Sequence, residues 1–131
     1  MPQRRDAMAG LHRFIDCPNS DCGIPVDPVE LSCPKCDAPL REAFRQQYYE
    51  IDVAHAGQTR EIARHEIEEG LNTALLYGFK GLKVIHGYGG AHRSRGIIAR
   101  EAKYTLQVIA RRKGYGLRRD AENPGAHLID F

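Results

Sequence analysis

The sequence contains no long hydrophobic run. No apolar stretch approaches the roughly 20 residues that a membrane-spanning helix needs. The first residues, MPQRRDAMAGLHRF, lack the apolar centre of a secretory signal peptide. These two absences predict a cytoplasmic protein. A length of 131 residues with 27% charged side chains is typical of one soluble globular domain, alone or with a small satellite domain.

Acidic residues are almost absent from the segment 86–119. That segment carries nine Lys and Arg residues against the single acid Glu101, whereas residues 1–85 carry 10 Lys and Arg against 13 Asp and Glu. The small net charge of +2 therefore hides one strongly basic zone. Such a zone favours phosphate-bearing partners, because each neutralised phosphate releases counterions. A solvated helix face followed by a basic tail would have the same composition.

Cysteine is absent after residue 36. Cys17 and Cys22 lie in CPNSDC, and Cys33 and Cys36 lie in CPKC. Two close pairs separated by a short loop suit one tetrahedral ion, so the spacing predicts a structural Zn²⁺ site with no coordination position left for water or substrate. Iron in a rubredoxin-like setting is the alternative metal. Two disulfides are a further alternative, which a cytoplasmic location disfavours.

The chain divides into a metal-binding part and a larger domain. We predict an N-terminal tail over 1–16, a zinc ribbon over 17–40, a linker with helical character over 41–47, and the main domain over 48–131.

The main domain alternates strand and helix patterns. Strands are predicted over 48–54, 81–87, 114–120 and 126–131, and helices over 59–78 and 94–113. Thr59 is the predicted N-cap of the first helix, and Gly78 and Gly114 are the predicted helix stops. The apolar stripe of the first helix is Ile62, Ala63, Ile67, Leu71, Ala74 and Leu75; that of the second is Ile98, Ala102, Thr105, Leu106 and Ile109. The predicted fold class is α/β (α+β-like), a βαβαββ mixed sheet with two packed helices.

Polar residues follow the first two strands of this domain. Asp52 and His55 come after the first strand, and His86 follows the second. Because the carboxyl ends of parallel strands meet at one end of a sheet, we expect the three side chains to converge there. The glycines after His86 allow backbone N–H groups to approach an anion, and Arg93 and Arg95 can donate charge-assisted hydrogen bonds to it. The pattern predicts a phosphodiester-binding loop.

The sequence VIHGYGG at 84–90, after an apolar strand, resembles the second motif of the small MutS-related (Smr) domain family, HGxGxG. DVAH at 52–55 takes the place of the family's first motif, LDxHG, and the spacing between the two motifs is similar. The resemblance covers 48–131, about two thirds of the chain, and leaves the four cysteines outside it. DVAH has one residue too many between aspartate and histidine, and Ala91 stands where the second motif's last glycine would be.

The resemblance implies a fold similar to the C-terminal domain of translation initiation factor three. It also implies nucleic-acid binding, with endonuclease or nicking activity in several relatives and action at stalled ribosomes in some. Carried over to this sequence, the family's site residues are His86, Gly87 and Gly89, with Asp52 and His55 from the altered first motif.

From these observations we predict a nucleic-acid-binding protein that cuts RNA, favoured over DNA, by histidine acid–base chemistry, with possible partners including the ribosome. The predicted catalytic residues are His86, His55 and Asp52, with His92 as a substitute for His55. The predicted nucleic-acid-binding residues are Gly87, Tyr88, Gly89, Gly90, His92, Arg93, Arg95, Arg100 and Lys103. A non-catalytic binding module and a protein-interaction domain docked through the zinc ribbon are the alternative functions.

Overall fold

A computed structural model describes residues 14–55, 57–87 and 93–131, with the backbone alone for 93–95. Six strands and three helices occur in these ranges. They are β1 (Ile15–Asp16), β2 (Pro25–Val26), α1 (Leu40–Phe44), β3 (Tyr48–Asp52), α2 (Arg60–Leu76), β4 (Gly81–Ile85), α3 (Arg93–Lys113), β5 (Gly116–Arg119) and β6 (Ala126–Asp130). From β3 onward the order is βαβαββ, which confirms the predicted mixed architecture with two long helices.

The main sheet has four strands in the order β3-β4-β6-β5. β3 and β4 are parallel neighbours, as a strand–helix–strand crossover requires. The last strand, β6, lies between β4 and β5 and runs antiparallel to both. The carboxyl ends of β3 and β4 therefore meet the amino end of β6. We call this region the loop end of the sheet.

The helix α2 follows its predicted boundaries closely. The Thr59 side chain accepts a hydrogen bond from the Ile62 amide at 3.2 Å, which is an N-cap interaction. After the helix, Gly78 adopts φ +81°, a left-handed conformation that glycine permits at a helix end. Four of the six predicted stripe residues are buried, namely Ala63, Ile67, Leu71 and Ala74.

The predicted apolar stripe of α2 is wrong at its two outer positions. Ile62 is 47% exposed and Leu75 is 43% exposed. The sheet covers a narrower face than the stripe assumed, and Gly70 is part of it, since a Cβ there would lie 2.9 Å from Ile51 Cδ1. In α3, the predicted inward residues Ile98, Ala102, Thr105 and Leu106 are buried, and Ile109 is partly buried against the core.

The cysteine-containing segment and the sheet share one continuous apolar core. The short helix α1 joins them, because Leu40 and Phe44 have no exposed surface. The Phe44 ring stacks on Phe79 with centroids 4.5 Å apart, and Phe79 in turn contacts the Tyr49 ring at 5.3 Å. The segment after the cysteines is thus packed against the main domain at Phe44.

None of the helices in the part of the chain that the structure describes is long and apolar enough to cross a membrane.

Candidate functional site

The ends of β3 and β4 lie side by side, as the sequence predicts. Asp52 and Ile85 are paired in the parallel ladder, and the Val53 amide donates to the Ile85 carbonyl at 2.9 Å. Beyond the ladder, a Cβ placed on Gly87 would lie 3.5 Å from the Ala54 Cβ. The two chain segments that carry the predicted motifs are therefore in contact at the loop end of the sheet.

The turn before β6 forms the third wall of the loop end. The Gly125 carbonyl accepts hydrogen bonds from the amides of His86 and Gly87, at 2.8 and 3.0 Å. Gly87 has φ +80°, and a Cβ on Gly125 would lie 3.3 Å from the Gly87 Cα. Both positions therefore suit glycine, one because of its backbone angle and the other because of the close approach.

His86 is buried at the loop end, with 1% of its surface exposed. Its Nδ1 lies 2.7 Å from the Gly87 carbonyl oxygen, and its Nε2 lies 2.8 Å from Nδ1 of His127 on β6. Both ring nitrogens of His86 therefore have a partner. We call His86 and His127 the histidine pair.

The hydrogen bonds of the histidine pair assign its tautomers. A carbonyl oxygen only accepts, so His86 Nδ1 must carry the proton that it donates to Gly87. In a neutral imidazole the other nitrogen is an acceptor, so His86 Nε2 accepts from a protonated His127 Nδ1. The lone pair of His127 Nε2 then remains available to accept a proton, while the pair fixes the ring's orientation.

Burial and nearby cations lower the pKa of both histidines of the pair. Burial lowers the pKa of His86 below 6.5, and the positive charge of Lys103 on α3 lowers it further. Burial likewise lowers the pKa of His127, with added effects from His86, Lys103 and Arg119 on β5. Lys103 and Arg119 are both exposed, and Arg119 is paired with His127 in the β5–β6 ladder, so those two side chains share one face of the sheet.

Asp52 and His55 have local partners. An Asp52 side-chain oxygen accepts from the Ala54 amide at 2.8 Å, which is an Asx-type turn. His55 is half-exposed, and its Nε2 lies 3.0 Å from the Glu66 carboxylate on α2 and 3.0 Å from the Gln58 amide nitrogen. The predicted catalytic roles of these two residues stay predictions.

The predicted nucleic-acid-binding residues differ in how far the structure describes them. Gly87, Arg100 and Lys103 are described, and the two cations are exposed on α3. Arg93 and Arg95 lie in the first turn of α3. Tyr88, Gly89, Gly90 and His92 fall outside the described residues. The binding roles of all of them stay predictions.

His127 is the residue that sequence reasoning missed. AHLIDF at 126–131 carries only the strand pattern in the sequence, so the sequence prediction gives His127 no role in the site. Its position depends on the strand order, because only a β6 that pairs with β4 places the residue opposite Val84 and next to His86. The strand pattern in the sequence does not determine the order of the strands in the sheet.

The four cysteine sulfurs form one cluster. The Sγ atoms of Cys17, Cys22, Cys33 and Cys36 all lie within 4.8 Å of one another. Two separations are 3.5 and 3.8 Å, close to the sulfur–sulfur distance of about 3.8 Å that a tetrahedron with metal–sulfur bonds of about 2.3 Å requires. A disulfide needs about 2.05 Å, so the four cysteines are free thiols arranged as a metal-ligand set.

Tight turns present the thiols of this cluster. Gly23 follows the first pair with φ +64°, and Asp37 follows the second pair with the same angle. The backbone amides of Cys36 and Lys35 lower the pKa of the Cys33 thiol to about 6, and the Lys35 amide lies 3.4 Å from Cys33 Sγ. These amides favour the thiolate form of Cys33, which is the form that a metal binds, whereas burial raises the pKa of Cys17 to about 12.

No protein-family model, curated protein or solved structure matches this chain. The loop end and the cysteine cluster are the two features of the described residues from which a function can be inferred.

Proposed function

We propose that residues 48–131 form an Smr-type nucleic-acid-binding domain, similar in fold to the C-terminal domain of translation initiation factor three, which cleaves RNA in the cytoplasm. One observation carries the proposal: a hydrogen-bonded histidine pair lies beside the paired ends of β3 and β4, close enough to Lys103 and Arg119 for their charges to lower the pKa of His127. A base next to cations is what cleavage of an RNA phosphodiester needs.

The chemistry follows from the assigned tautomers. His127 Nε2 accepts the proton of a 2′-hydroxyl group, and the resulting oxygen attacks the adjacent phosphorus. The bond from phosphorus to the 5′ oxygen breaks and leaves a 2′,3′-cyclic phosphate. Lys103 and Arg119 stabilise the charge on the phosphate. His86 is buried and acts as a positioning residue, because it holds His127 in one tautomer and orientation.

The leaving 5′ oxygen must receive a proton from a second group. We assign this role to His55, which is half-exposed after β3, with the Glu66 carboxylate next to its Nε2 to stabilise the imidazolium. Asp52 supports the loop that carries His55, through its hydrogen bond from the Ala54 amide.

A non-catalytic RNA-binding module is the second candidate. The observation that favours it is the local pairing of Asp52 and His55, which leaves both residues of the altered first motif engaged within the chain. In this case the basic zone and the loop end bind RNA, on its own or as part of the ribosome, without cutting it.

We propose that the cysteine cluster holds a structural Zn²⁺ ion. Four thiolates complete the tetrahedron, so the ion organises the segment 17–40 and takes no part in the reaction. The segment is short and, with few large apolar side chains, needs the ion to fold.

Incubation with end-labelled single-stranded RNA and with DNA of the same sequence, without added divalent ions, tests the proposal. We expect cleavage of the RNA alone, because only RNA has the 2′-hydroxyl. His86→Ala and His55→Ala should lower the rate by about 10²- to 10⁴-fold. His65→Ala is a suitable control, because His65 is an exposed α2 residue paired with Glu69.

Three results contradict parts of the proposal. Binding without cleavage supports the non-catalytic module instead. Normal cleavage by both histidine variants refutes the assigned chemistry. Binding that is insensitive to salt for both nucleic acids argues against a phosphate-contacting surface altogether.

A further inference from the structure

A groove runs between α2 and α3 on the surface away from the sheet. Two adjoining depressions, of about 250 and 610 Å³, share Glu101 and Tyr104 in their walls. The walls also carry five cations from the two helices, against Glu68 and Glu101 as acids. The cations are Arg60, Arg64, Arg100, Arg112 and Lys113. We call this surface the helix groove.

The helix groove begins at the loop end of the sheet. α2 follows β3 and α3 follows β4, so both helices start where the parallel strands end. Arg60, from the first turn of α2, and Ile97, from the second turn of α3, line the depression nearest that end. Arg112 and Lys113 line the opposite end, about 24 Å further along α3 at about 1.5 Å per residue. The groove therefore runs from the loop end of the sheet toward the far end of the domain.

Tyr104 stands in the middle of the helix groove with 64% of its surface exposed. It belongs to both depressions, and Leu71 and Ile109 form part of the apolar floor beside it. Of the two acids in the groove walls, Glu101 already has a partner within α3, because its carboxylate accepts a hydrogen bond from the Thr105 hydroxyl at 3.3 Å. An exposed aromatic ring with cations on both sides is the arrangement that binds single-stranded nucleic acid, where bases stack on the ring and phosphates meet the cations.

We propose that the helix groove binds the RNA strand that leads away from the scissile phosphate, with one base stacked on Tyr104 and the backbone along the arginines. The inference rests on the proposed function, since it extends the binding surface of the same site. It also gives a reason for the basic zone 86–119 beyond the loop end, because Arg100, Arg112 and Lys113 line this path. A duplex fits it poorly, because paired bases are not available to stack on a side chain.

Fluorescence anisotropy with a labelled 12-nucleotide single-stranded RNA tests the inference. Tyr104→Leu removes the ring but keeps an apolar side chain, and we expect binding to weaken roughly 5- to 150-fold, which corresponds to the loss of one stacked base. Tyr104→Phe keeps the ring and should bind within about twofold of the unmodified protein.

A matched pair of charge variants tests the path of the strand. Arg112 lines the groove, whereas Arg111 is its exposed neighbour on α3 and is not among the groove-lining residues. Arg112→Gln should weaken binding more than Arg111→Gln and lower the salt-dependence slope by about one, although both variants change the net charge equally.

The outcomes separate the two proposals. If the unmodified protein binds the RNA but Tyr104→Leu binds equally well, or if Arg111→Gln and Arg112→Gln weaken binding alike, the groove assignment is wrong and the loop-end site stands. If the unmodified protein binds neither RNA nor DNA of the same sequence, the proposed function and the groove are both wrong. Equal affinity for a duplex also overturns the stacking assignment.

Discussion

Two substitutions of His127 can separate its effect on the stability of the protein from its effect on the proposed RNA cleavage. Replacing it with alanine removes both the hydrogen bond to His86 and the proposed base. Replacing it with glutamine removes only the base, because a side-chain amide can still donate a hydrogen bond to His86 Nε2.

The magnitudes follow from the contacts of His86. In His127→Ala, the buried Nε2 of His86 loses the donor that lies 2.8 Å away. Leaving a buried acceptor unsatisfied costs about 1–3 kcal/mol of unfolding free energy, or a melting temperature lowered by roughly 4–15 °C. We expect His127→Gln to keep its stability to within about 1 kcal/mol, yet to lose about 10²- to 10⁴-fold in RNA cleavage, as His127→Ala does.

Urea unfolding followed by circular dichroism, together with single-turnover RNA cleavage, measures the two effects on the same preparations. His65→Ala is the control, since an exposed ion pair such as His65–Glu69 contributes about 0–1 kcal/mol. If His127→Gln cleaves RNA at the unmodified rate, His127 is not the base. If His127→Ala is as stable as His127→Gln, the hydrogen bond between His127 and His86 does not contribute the predicted value of about 1–3 kcal/mol to the unfolding free energy.

Three further predictions concern pH, packing and metal. The pKa values of the histidine pair are lowered in the folded state, so the unfolded chain binds more protons in mild acid. The unfolding free energy should therefore be highest above about pH 6.5 and fall as the pH drops toward 5. Urea titrations at several pH values will measure this decrease, which should be smaller in His127→Gln because that variant has one histidine fewer. Gly81→Ala should cost roughly 3–5 kcal/mol in the same assay, because its Cβ would clash with the Ile129 carbonyl oxygen. Gly70→Ala meets only side-chain atoms, those of the buried Ile51 and Leu82, and should cost less, about 1–3 kcal/mol. Elemental analysis should find one zinc ion per chain, and a strong chelator should unfold the segment 17–40 in circular dichroism; an unchanged spectrum after metal removal would refute the structural role.

The elements of the fold were predictable because each has a local cause. Thr59 and Gly78 set the ends of α2, and the apolar spacing at Ile67 and Leu71 set its inner face. The predicted burial was wrong at the two outer positions of α2, because the width of the buried face depends on what the helix packs against. Ile62 and Leu75 fit the helical period but lie beyond the reach of the sheet.

The sequence predicted only the parts of the site that depend on elements consecutive along the chain. Parallel pairing of consecutive strands follows from the crossover, so the meeting of β3 and β4 could be inferred from the sequence. The insertion of β6 beside β4 is a long-range choice between two sheet orders, and no short stretch of sequence encodes it. His127 was missed for that reason, although the cysteine cluster, whose geometry depends on two short turns, was found.

The three segments at the loop end are attached to one another through main-chain atoms. The Gly125 carbonyl accepts hydrogen bonds from the amides of His86 and Gly87, and the Val53 amide donates to the Ile85 carbonyl, so apart from the glycines at 87 and 125 these bonds do not depend on side-chain identity. We therefore expect variants of His86 and His127 to change the side-chain chemistry of the loop end while its main-chain framework stays assembled.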